Sequence, residues 1–81
     1  MMPGETEIDA RGLLCPLPVL KARKKLAAMR AGDVLAVRAT DPAARIDMPH
    51  YCREAGHRFL GEEQRDDCWV FRIEKQEPDH V

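Results

Sequence analysis

The chain has 81 residues, 44% hydrophobic and 33% charged, and carries a formal net charge of −1 with histidine neutral. That length fits one domain with one thin core, and that balance fits a globular chain rather than a disordered one. Near-neutral charge gives no drive toward nucleic acid or anionic membrane, and no apolar run reaches the ~20 residues that span a bilayer. The opening "MMPGETEIDA" lacks the basic and apolar regions of a secretory signal, and three cysteines without a CxxC pair fit free thiols in the cytoplasm.

Residues 1–5 read as a loose end, and the core runs over about 6–75. Thr6 to Ala10 is a short strand centred on Ile8. Pro16 to Arg30 reads as a helix whose inward face is Val19, Ala22, Leu26 and Met29, spaced three and four apart. Gly32 is the expected left-handed stop. Asp33 to Thr40, "DVLAVRAT", is a mostly buried strand. Asp41-Pro42 starts a second helical region, which Pro49 is expected to divide. A short turn over Pro42 to Ile46 is followed by a fresh helix with Asp47 near its cap and Pro49 in its first turn. Met48, Tyr51 or Cys52, and Ala55 face inward, and Gly56 ends it. His57 to Glu63 is a third strand and Gln64 to Asp67 a polar turn. In the fourth strand, Cys68 to Lys75, the residues Trp69, Phe71 and Ile73 alternate with Cys68, Val70, Arg72 and Glu74. Glu77 to Val81 reads as a frayed tail.

The order β-α-β-α-β-β in so short a chain predicts an α+β, two-layer sandwich. Its four-stranded mixed sheet carries two helices on one face, with right-handed crossovers and a terminal hairpin.

Within this frame the stretch "CPLP", Cys15 to Pro18, places a thiol at a helix start. Proline is costly inside a helix but not in its first turn, where the N–H groups have no intrahelical partner. Pro16 and Pro18 are therefore expected at the first and third helical positions, with Cys15 at the cap and Gly12 in the loop before it. The positive end of the helix dipole there favours the thiolate, so a lowered pKa and raised nucleophilicity are expected for Cys15. A small buried apolar residue is the competing reading for any lone cysteine.

The stretch "DARGLLCPLPVLKARKKL" resembles the signature of the TusA/SirA-like sulfur carrier family, whose hallmark is a Cys-Pro-x-Pro box at the start of the first helix. Asp9, Ala10 and Gly12 match the approach to the box. "TDPAARIDMPHYCREAGH", Thr40 to His57, resembles the family's second helical region, and the likeness runs from Ile8 to Glu74. It implies the same sandwich and a relay role. Cys15 would take sulfane sulfur as a persulfide from a donor protein, a cysteine desulfurase or a rhodanese-like protein, and hand it to an acceptor protein. The carrier would act stoichiometrically, without metal or organic cofactor. Leu17 stands where some members have Glu and Leu14 where some have Arg, and both changes remove charge beside the thiol. The destination of the sulfur stays open between tRNA thiolation, molybdenum-cofactor or iron–sulfur metabolism, and oxidation of reduced sulfur compounds.

Cys52 and Cys68 read as structural. His50, His57 and His80 are scattered, with His57 placed to favour the dipole of the second helix. From Val19 to Arg30 there are five basic residues and no acidic one. Lys21, Lys24 and Lys25 on that face are the candidate docking residues for an acidic partner patch beside Cys15. Direct RNA binding through the same patch ranks lower, because interleaved aromatics are missing. A monomer is expected. Two other functions compete with the carrier: a non-catalytic regulatory or interaction domain of the same fold, and a thiol redox protein.

Overall fold

The computed structural model describes residues 5–77. Six elements follow one another: β1 (Glu5–Ala10), α1 (Leu17–Ala27), β2 (Val34–Ala39), α2 (Ala44–Ala55), β3 (Arg58–Arg65) and β4 (Cys68–Glu74). The sheet order is β1-β2-β4-β3. β1 and β2 are parallel, with Ile8 opposite Val37, and the other two pairings are antiparallel. This is the expected α+β sandwich with a mixed four-stranded sheet.

Both helices lie on one face. Leu35, Val37, Ala39, Phe71 and Ile73 from the sheet meet Ala22 and Leu26 of α1 and Ala44, Met48 and Cys52 of α2 in one buried core. Period-two alternation along β2 and β4 puts these side chains on the same side. Among the described residues, the opposite face buries only Ala36, Cys68 and Val70. It is otherwise laced with ion pairs, Arg38–Glu7 and Arg72–Glu63 among them.

Several element boundaries depart from expectation. Glu5 is the first residue of β1 rather than part of a loose end. The remainder of both termini, including His80, lies outside the described residues. α1 begins at Leu17, so Pro16 is its cap residue and Pro18 its second helical position. Its far end stops at Ala27 because the next residues are claimed by a turn: Arg30 N donates to Asp33 Oδ2, and Gly32 N to Lys75 O at 2.8 Å. Gly32, at φ +93, serves this turn rather than a helix cap. The β3–β4 turn is shorter than Gln64–Asp67: Arg65 already pairs with Cys68, leaving Asp66 and Asp67 at the tip.

α2 is one continuous helix from Ala44 to Ala55 with Pro49 inside it. Its opening turn is tight: Ala44, Arg45 and Ile46 donate to the carbonyls of Asp41, Pro42 and Ala43. Proline deprives the Arg45 carbonyl of its usual donor. That one loss is offset by burial of Ala44, Met48 and Cys52 at a four-residue spacing on the sheet. Gly56, at φ +82, ends the helix as expected.

Candidate functional site

Because β1 and β2 run parallel, the segments that follow them leave the sheet at the same edge. The loop after β1 carries Gly12 and Cys15, and the loop after β2 carries Thr40 and Asp41. The two are bonded together. Gly12 N donates to Thr40 Oγ1 at 2.9 Å, and Cys15 N donates to Asp41 Oδ2 at 2.8 Å. The other oxygen of Asp41 accepts from Ala43 N at 3.1 Å, at the entry to α2. The cap residue of α2 is Ala43, and Asp41 instead ties the turn before it to the backbone of the thiol residue. Gly12 has φ +81, which a residue with a side chain rarely adopts. The Cys15–Pro16 peptide is cis.

The Cys15 thiol is exposed, and it donates to Asp47 Oδ2 at 2.7 Å across the space between the two helices. Cys15, Pro16, Val19, Asp47, His50, Tyr51 and Glu54 line an open pocket of about 320 Å³, mostly apolar. Chain neighbours of the lining residues include exposed apolar side chains, with Leu14 68%, Leu17 48% and Ile46 74% exposed. Leu17 and Leu14 are the two positions where charge beside the thiol is missing relative to some members of the family.

This geometry reverses the expected thiol chemistry. The hydrogen bond to Asp47 raises the Cys15 pKa, and desolvation and the charges of Asp47 and Asp41 add to it. The helix end offers little in compensation. Pro16 and Pro18 have no N–H, and Leu17 N is spent on Leu14 O at 2.8 Å. The dipole argument counted the helix and not the carboxylates, which come from 26 and 32 residues further along the chain.

The remaining expectations fall as follows. Cys52 is 1% exposed in the core, and burial pushes its thiol up to about 11. Cys68 is 8% exposed on the other face of the sheet. His57 does not favour the helix dipole as a cation. Burial and Lys75 lower its pKa, and its Nδ1 accepts from Gln76 N at 3.1 Å. Lys21, Lys24 and Lys25 gather with Ile8 and Ala28 around a separate depression on the β1 side of α1, which shares no residue with the thiol pocket. Lys21 Nζ is held by the Asp9 carbonyl. Pattern reading missed Asp47, His50, Tyr51 and Glu54 as neighbours of the thiol. The available signal was topological: parallel β1 and β2, each followed by a helix, bring both helix starts to one edge.

Fold and site together define a small thiol-presenting sandwich whose one exposed cysteine, among the described residues, sits at the start of its first helix. A family model described as sulfurtransferase TusA matches residues 6–75, and the chain belongs to that TusA/SirA-like family. The sulfur carrier protein TusA of Pseudomonas entomophila is 39% identical over 72 residues, covering 89% of this chain and 90% of its own. That of Allochromatium vinosum is 39% identical over 75 residues, covering 93% and 99%. A SirA-like protein of Desulfitobacterium hafniense, known from its crystal structure, superposes with a TM-score of 0.77 at 29% identity, covering 88% of this chain and 97% of that one.

Proposed function

We propose that this protein is a cytoplasmic sulfur-relay carrier in which Cys15 holds the sulfur. The observation that carries the reading is the contrast in access. Cys15 is exposed on a braced loop beside an open apolar pocket, while Cys52 and Cys68 are buried. Gly12, Pro16 and Pro18 set the loop-to-helix junction that presents it. In loading, Sγ attacks the terminal sulfur of a donor protein's persulfide. A new S–S bond forms at Cys15, the donor's S–S bond breaks, and the donor leaves as a thiolate. The donor is a cysteine desulfurase or a rhodanese-like protein. Unloading repeats the exchange with an acceptor protein's thiolate. The exposed apolar side chains of Leu14 and Leu17, next in the chain to Cys15 and Pro16, suit contact with a partner, and the lysine side of α1 suits an acidic partner surface. Both other thiols are buried, which disfavours a redox role.

The test is intact mass after incubation with a cysteine desulfurase and free cysteine. Wild type gains one sulfur atom, removable by reductant, and Cys15→Ser gains none. Absence of any adduct on wild type with desulfurase and rhodanese-type donors alike overturns the carrier reading.

A further inference from the structure

The contact between Cys15 and Asp47 depends on a proton that the empty thiol has and the loaded one lacks. We infer that Asp47 is a positioning residue that distinguishes the two states: it keeps the empty thiol turned into the α2 pocket and turns the terminal sulfur of the loaded persulfide out of it. The first half stands on the 2.7 Å contact from Sγ to Asp47 Oδ2. The second half rests on the carrier reading above and on chemistry.

Loading removes the Sγ proton, which passes to the Asp47 carboxylate and on to water as the new S–S bond forms and the donor thiolate departs. The product has no S–H at Sγ to donate. Its terminal sulfur ionises more readily than a thiol and is an anion at neutral pH. The groups facing that anion are unsuited to it. Asp47 and Glu54 of α2 line the pocket, and Asp41 sits behind the Cys15 backbone. Pro16 at the cap of α1, Val19 from α1 and Tyr51 from α2 are apolar or nearly so. His50 stands at the exposed rim, and Arg23 of α1 acts on Tyr51 rather than on the thiol. An anion beside carboxylates in an apolar recess is destabilised, whereas the mouth of the pocket is open to water and to a partner. The same carboxylate therefore retains the empty carrier's sulfur and expels the loaded one's, presenting cargo only when there is cargo.

The experiment compares alkylation by iodoacetamide, a neutral probe, in wild type, Asp47→Asn and Asp47→Glu, read at Cys15 by peptide mass. The empty protein is followed across pH, and the loaded protein, charged with inorganic polysulfide, is followed at neutral pH. In Asp47→Asn the empty thiol should react several-fold faster at pH 7, with its pH midpoint moved down. The loaded sulfur should react more slowly, because nothing now turns it outward. Asp47→Glu should return both rates toward wild type. Should the Asn variant fail to fold by circular dichroism, Asp47→Ser carries the same test. Superimposable profiles for the empty forms, or a loaded form that reacts no more slowly in the variant, overturn the inference. Polysulfide loading needs no donor protein, so this result is separate from whether a desulfurase charges the carrier.

Discussion

Cys15 touches α2 through Asp47 and Cys52 lies within it, and both thiols are held above the ordinary range, for different reasons. Cys52 is raised by desolvation, fixed by the packing of α2 on the sheet. Cys15 is raised chiefly by its hydrogen bond to a single carboxylate at the protein surface. The first cause disappears only on unfolding. The second can be removed by moving or neutralising one side chain. The two thiols thus differ less in acidity at rest than in how easily their surroundings can change.

The widest separation between the two is expected in sulfur loading. Cys15→Ser should abolish the mass gain altogether, while Cys52→Ala should load like wild type, both measured by intact mass. Next comes the support that the two share. Met48 is fully buried in the same core as Cys52, one residue from Asp47, and Met48→Ala should cost about 2–5 kcal/mol by urea unfolding. A smaller effect marks the interior thiol alone. Cys52→Ser places a hydroxyl in that apolar site and should cost about 1–3 kcal/mol. The pH dependence has the same origin. The folded Cys52 pKa, about 11, lies above the ordinary 9.0, so its contribution is complete below the unfolded value and is lost as pH rises through the folded one. Wild type should therefore lose stability between these values, and Cys52→Ala should lose less, by urea midpoints across alkaline pH. The smallest change sharpens the α2 frame. Pro49→Ala restores a donor for the Arg45 carbonyl and should raise stability by about 1 kcal/mol, read as an upward shift in melting temperature.

How far the sequence foretold this arrangement differs between the two thiols as well. Cys52 was legible because its environment is local and periodic. Met48 and Cys52 fall four apart on one helical face, and β4 alternates in step with them. The order of elements and the two-layer fold followed from the same periodicities. The unity of α2 was not legible, because Pro49 signals a break that only packing against a sheet can override. The placement of Cys15 at the start of the first helix was legible, but its acidity was not. Its motif is contiguous, whereas the residues that set its acidity arrive from another loop and helix. The lysine run showed the converse. Its single sign was plain in the sequence, but the rotation of α1 puts it on the side away from the thiol pocket.

Asp41 holds a last consequence. Its two oxygens bind the first turn toward α2 and the backbone of Cys15 at once, from a residue belonging to neither. The sandwich therefore has a rivet at its working edge. Any shift of α2 also tilts the Cys15 loop, and pressure on either of two distant stretches of chain is felt as one movement.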